Sequence, residues 1–214
     1  HAAPRGELRI SAPVLFGRIF VTPILGDYLD CYPMVNIQTL FVDRVVSLMD
    51  EGLEIAIRIG ELPDSSLTAI RVGLVRRVMF ASPEYIKTNG LPKRPEDIAN
   101  HQLIKSTSVE TSQEWAFQEN GVPLSVRAEP RLRMNTNDAV IELALRGWGI
   151  SRLMSYQVAP YLADGRLRAI LEPFEMPPMQ VHVIHQEGLM VSAKVRSFVD
   201  FMVERLRANA ALNE

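Results

Sequence analysis

Few residues in this chain are arranged for covalent or metal chemistry. His182 and His185 stand three apart in Gln180–His185, which alternates like a strand, so their side chains should point to opposite faces. That spacing does not suit a metal ion. Cys31 is the single cysteine, which excludes an internal disulfide and a thiol pair. Apolar neighbours lead us to expect a buried, inert thiol there. G-x-S-x-G, C-x-x-C, H-E-x-x-H and a phosphate-binding glycine loop are all missing. We therefore expect no catalytic residue, no metal site, no cofactor and no enzyme activity.

What remains is a set of small polar groups where strands give way to helices. Ser11, followed by Ala12-Pro13, precedes a helical pattern, and Asn135-Thr136-Asn137-Asp138 precedes another. Each junction reads as an ordinary cap, or as a hydroxyl and unpaired N–H groups offered to an anion. Arg58, near the end of a third strand, is either a counter-charge for a ligand carboxylate or the partner of a neighbouring acid. Gly60 follows it and would let a ligand approach the backbone, having no side chain to fill a crevice. The site expected from these residues takes an anionic small molecule between two lobes. Ser11 and Pro13 touch it from one side and Asn135 and Thr136 from the other, with Thr107 and Ile150 in the second wall.

The elements that would position these groups follow from the apolar pattern. Leu8–Ile10, Val35–Phe41 and Ile55–Ile59 read as strands. A helix from Pro13 to about Tyr32 separates the first two, with a kink or restart at Pro23. A short helix over Val45–Asp50, capped by Asp43 and stopped by Gly52, separates the next two. Strand, helix, strand, helix, strand is the pattern of a parallel sheet, which binds ligands beyond the carboxyl ends of its strands. Alternation in Val35–Phe41 predicts an edge strand with one wet face. Leu62-Pro63-Asp64-Ser65-Ser66 reads as a turn, followed by strands at Leu67–Val75 and Val78–Ser82. Short strands fill the middle of the chain, and a helix from Ala139 to Arg146 follows the Asn-Thr-Asn-Asp junction. The last helix, from Ser192 to about Arg207, carries Val195, Phe198, Val199, Met202 and Leu206 on one stripe.

The 214 residues suffice for two lobes of about 100 residues each. Arg76-Arg77 and Pro173–Pro178 read as crossings between them. Lobe one is then residues 6–76 plus 178–207, and lobe two is 77–177. A net charge of −2 gives no general attraction to nucleic acid. No apolar run approaches the length of a membrane span, so no membrane partner is expected.

Several segments carry a family resemblance. Gly6-Glu7-Leu8-Arg9-Ile10-Ser11-Ala12-Pro13, Tyr32-Pro33, Asp43-Arg44-Val45-Val46, Ala56-Ile57-Arg58-Ile59-Gly60 and Asp64-Ser65-Ser66-Leu67 resemble LysR-type transcriptional regulators. Ala81-Ser82-Pro83-Glu84-Tyr85, Pro95-Glu96-Asp97-Ile98, Gly147-Trp148-Gly149-Ile150 and Val195–Phe201 continue the match. Glu54 stands where the family usually has Asp, and Met154 where Pro is common. The resemblance implies an α/β, two-lobed type II periplasmic-binding-protein-like fold with two crossover strands between lobes. It implies the effector-binding half of a cytoplasmic regulator that self-associates head to tail as a homodimer. DNA would be bound only through an N-terminal winged helix-turn-helix that these residues do not include. The alternative is a transport solute-binding protein of the same fold.

Overall fold

A computed structural model describes residues 3–62, 66–109, 112–186, 188 and 192–213. Pro63, Asp64 and Ser65 of the expected turn lie outside the described residues. The chain divides into two compact units, His1–Val75 with Met179–Glu214, and Arg76–Pro178.

Unit 1 is built on a five-stranded sheet. β1 (Gly6–Ala12) lies between β2 (Val35–Phe41) and β3 (Ile55–Ile59), all parallel. β12 (Met179–Gln186) is antiparallel to both β3 and β4 (Leu67–Val75), which gives the order β2-β1-β3-β12-β4. The parallel sheet read from the sequence is thus the first part of a mixed one. β2 is an edge strand whose Asn36 and Gln38 are exposed, as its alternation requires, and Thr39 on the other face is exposed as well.

After β1 the chain stays helical from residue 14 to residue 31. It runs through α1 (Val14–Phe16), a π-helical segment (Gly17–Val21) and α2 (Thr22–Cys31). Pro23 is the cause of the restart. It has no N–H to donate, and just before it the Thr22 N–H and Oγ1 both bond back to the Gly17 carbonyl. Gly17 is needed for packing, since a Cβ there would lie 2.7 Å from the Phe41 ring. Tyr28 of α2 is fully buried against Phe198 and Phe201, with ring centroids 5.0 and 5.4 Å away. Those two belong to α6 (Ala193–Arg207), whose expected stripe of five apolar residues is buried in full. Past α6, the turn Ala210–Leu212 buries Leu212 against Gly73 of β4.

The helix expected over Val45–Asp50 does not form. The Asp43 carboxylate instead accepts from the Val14 N–H at 3.1 Å and so caps the first helix, 29 residues away. Residues 48–52 make tight turns, and Leu48 and Leu53 pack with Val46, Ala56 and Ile184. Cys31 is exposed rather than buried: it shares the face of Tyr28 and Ile24 but is the last residue of α2.

Unit 2 contains the antiparallel sheet β10-β5-β11, formed by Ser151–Met154, Arg77–Ala81 and Arg168–Ile170. β6 (Ile104–Ser106) and β9 (Leu132–Met134) pair in parallel. β7 (Glu114–Glu119) and β8 (Val122–Arg127) form a hairpin closed by Asn120-Gly121. Both of those residues have positive φ, the conformation a two-residue hairpin turn demands. The α-helices described in this unit are α3 (Pro83–Asn89), α4 (Asn137–Leu145) and α5 (Ser155–Ala163), with 3-10 turns at Pro95–Asn100 and Glu172–Phe174. Ser82 caps α3 through the Tyr85 N–H, with Pro83 in the first turn. Trp115, Phe117, Ile98 and Leu103 anchor the core. Where the chain enters and leaves the unit, Arg76 and Glu175 form a two-pronged ion pair at 2.9 and 3.3 Å.

Candidate functional site

In unit 1, β1 and β3 are adjacent and parallel, so Ser11 and Gly60 lie at the same, carboxyl edge of the sheet. Ser11 is 4% exposed and belongs to β1. It is not the helix cap; Pro13 holds that place, with extended ψ and no side-chain bond to the helix. Gly60 has φ +94°, and a Cβ there would meet only the Met179 sulfur at 3.8 Å. The space beside its Cα is therefore open to close approach. Arg58 donates to the Val46 carbonyl at 2.8 Å and braces the segment before β3.

In unit 2 the strand pairing brings Thr107, Asn135 and Thr136 together. Ser106 and Met134 are register partners at the ends of β6 and β9, and the Thr107 N–H donates to the Met134 carbonyl at 2.8 Å. Asn135 and Thr136 follow β9, and Thr136 is the residue from which α4 starts. Its side chain makes no capping bond. Ile150 is placed otherwise. It is fully buried, bridges to Leu103, and exchanges main-chain bonds with Gln102 and Ile104.

Three residues that sequence reasoning had not singled out fix this corner. Ser106 Oγ donates to Asn137 Oδ1 at 2.6 Å, and Asn137 Nδ2 donates to Gln157 Oε1 at 3.2 Å. Asn137 and Gln157 are 8% and 6% exposed. Buried polar groups need such partners, so the chain pins the start of α4 to β6 and α5. The second Asn of the Asn-Thr-Asn-Asp run was the only sign of this in the sequence. Nearby Lys105 is also buried, its ammonium 4.1 Å above the Trp115 ring and donating to the Glu114 carbonyl.

The two histidines of β12 are both buried. His182 lies in register with Arg58 and Arg71, and burial together with the Arg71 charge lowers its pKa. His185 shares a hydrogen bond with the Gln186 carbonyl through Nδ1. No group of three metal-binding side chains occurs among the described residues, and no helix among them is long and apolar enough to cross a membrane.

The residues in each unit offer strand ends, main-chain amides, hydroxyls and, in unit 1, one open glycine, a chemistry suited to binding. Comparison with known proteins gives the family. A family described as the LysR substrate binding domain matches residues 1–207. The chain is 31% identical to the HTH-type transcriptional regulator DmlR of Escherichia coli, over 93% of its own length and 65% of that protein. It is 30% identical to the HTH-type transcriptional regulator PtxR of Pseudomonas aeruginosa, over 95% and 65%. It thus spans a little under two thirds of the length of these curated relatives. Among solved structures, the regulatory domain of CrgA, a LysR-type transcriptional regulator from Neisseria meningitidis, is similar with a TM-score of 0.80. The two are 26% identical, over 95% of this chain and 100% of that one. These relatives are transcriptional regulators and not transport solute-binding proteins. With its two-lobed type II periplasmic-binding-protein-like fold, the chain belongs to the LysR substrate-binding domain family.

Proposed function

We propose that this domain senses a small anionic effector for a cytoplasmic LysR-type transcriptional regulator. Ser11, Pro13 and Gly60 of lobe one and Thr107, Asn135 and Thr136 of lobe two contact the effector. Arg58 and Ile150 act from behind them, through the main chain they hold. Lobe one corresponds to residues 6–76 plus 178–207 and lobe two to 77–177. Effector binding changes how the homodimer is arranged, and DNA is contacted by a winged helix-turn-helix outside these residues. The observation that carries this reading is the family match over residues 1–207, combined with the polar residues at the strand ends.

The test is a thermal-shift screen of small carboxylates and phosphates, followed by calorimetry on any hit. An effector at 100 times its Kd should raise stability by about 2.7 kcal/mol. Loss of one hydrogen bond to a charged ligand costs roughly 1.5–3 kcal/mol, about ten- to a hundredfold in affinity. Ser11→Ala and Thr136→Ala should each weaken binding on that scale with the fold unchanged. Parent-like affinity in both variants would remove the assignment. For self-association, Leu25→Asp on the first helix should shift sedimentation toward monomer, whereas neighbouring Ile24 is a core residue and unsuited to the test.

A further inference from the structure

Unit 2 contains a pocket of about 380 Å³ whose lining includes none of the residues proposed to sense the effector. Tyr85, Asn89, Gln102, Leu143, Arg146 and Trp148 line it. That volume suits a small organic molecule.

The floor is a built one. The Tyr85 hydroxyl accepts from the Gln102 N–H at 3.1 Å and shares a hydrogen bond with His101 Nδ1 at 2.8 Å. The Gln102 amide donates to the Trp148 carbonyl at 2.5 Å and accepts from Arg131 Nη1 at 2.6 Å. Arg131 is thereby held with its guanidinium carbon 5.8 Å from the centre of the Trp148 ring. The turn that presents Trp148 is also fixed. Gly147 has φ +80°, and a Cβ there would sit 3.3 Å from Ser82 Oγ.

These bonds leave the floor with its polar groups engaged, so it selects by shape. Charge enters at the rim, where Arg146 is the one cation in the lining and no carboxylate joins it. The Arg146 side chain is 72% exposed and pairs with the equally exposed Glu142 one helical turn away at 3.1 Å. Exposed pairs of this kind are weak, and a ligand carboxylate can take the place of Glu142. An indole beside a guanidinium whose acid partner is exposed and displaceable recognises a flat anion.

We propose that this pocket is a second ligand site, independent of the sensing residues, that takes a planar organic carboxylate with its flat face on Trp148 and its charge at Arg146. Cinnamate serves as the probe, with neutral cinnamamide as its uncharged control. The chain has two tryptophans, and Trp115 is buried with its indole N–H donated to Ala128. The two indole resonances in a 1H–15N spectrum therefore report separately. Cinnamate should shift the Trp148 resonance saturably and leave that of Trp115 in place. Arg146→Ala should weaken cinnamate about tenfold and leave cinnamamide unchanged. Ser11→Ala should leave the Trp148 titration as in the parent. An unmoved Trp148 resonance, or equal cinnamate affinity in parent and Arg146→Ala, would overturn the proposal. Loss of the shift in Ser11→Ala would also overturn it, by assigning the effect to the sensing residues.

Discussion

Gly73→Ala should detach the C-terminal turn from unit 1. Gly73 lies inside β4 at ordinary negative φ, so alanine fits its backbone. The obstacle is across the gap. An added Cβ would stand 2.5 Å from the Leu212 carbonyl oxygen and 2.7 Å from the Leu212 Cβ. The nearest atom is main chain, so no rotamer change relieves the clash, and the turn Ala210–Leu212 must lift. Leu212 is fully buried, and releasing it forfeits about 1.5–3 kcal/mol of transfer free energy. Alanine in a strand recovers about 0.5–1 kcal/mol over glycine. The net loss is about 0.5–2.5 kcal/mol, or roughly 1–10 °C in melting temperature for a chain of this size. A chain ending at Arg207 should lose the same burial. In that shortened chain Gly73→Ala should be neutral or stabilising by about 0.4–1 kcal/mol. Urea unfolding of the four proteins forms a double-mutant cycle. Equal loss from Gly73→Ala in both backgrounds would refute the packing argument.

Three further outcomes follow from side chains already described. Burial and Arg71 keep His182 below its ordinary pKa, so the unfolded chain binds more protons and stability is complete only above about pH 6.5. As pH falls through that value toward the lower folded pKa the stability is lost, and His182→Gln should flatten the decline. His101, also lowered by burial, shares the sign, so a parent and variant with equal slopes would remove His182 as the cause. Asp43→Ala should cost about 1 kcal/mol by uncapping the first helix, and Asp43→Asn only a few tenths, both read by thermal melting. Exposed Cys31 should react with a thiol reagent in the native protein nearly as fast as in denaturant; protection in the native state would place it in an interface.

Local patterns in this chain were readable wherever burial follows a short period. The α6 stripe is buried residue for residue, and the edge position of β2 follows from Asn36 and Gln38 alternating with Val35 and Ile37. Pro23 announced a break, though nothing in the sequence said that the backbone would absorb it as a π turn. What the sequence concealed are partnerships between distant residues. Asp43 has the type and place of a local cap, and its real partner is Val14 on another element. Cys31 has apolar neighbours in sequence, and as the last residue of α2 it is exposed all the same. Of the candidate site, Ser11, Gly60, Thr107 and Thr136 were legible as strand ends. The burial of Asn137 and its bonds to Ser106 and Gln157 depend on three elements meeting, which no single stretch encodes.

That buried chain bears on how an anion would be held. Ser106, Asn137, Gln157 and Tyr156 are linked in sequence by bonds of 2.6, 3.2 and 3.2 Å. Each link removes a way for the first turn of α4 to move, so its amides keep their directions before any ligand arrives. Preorganisation of this kind lowers the ordering cost of binding. The first turn of α4 carries an acid of its own, Asp138, and the corresponding place in unit 1 has one too. There the Val14 N–H already donates to the Asp43 carboxylate, so the start of that helix stands beside a negative group. Charge does not separate the two helix starts, and it is the fixed geometry of α4 that leads us to propose Thr136 as the partner of an anionic group. Ser11, Pro13 and Gly60 then supply a neutral wall and one hydroxyl. The two alanine variants should respond unequally to ligand charge. Methylating the carboxylate of an effector should erase most of the loss caused by Thr136→Ala, and little of that caused by Ser11→Ala.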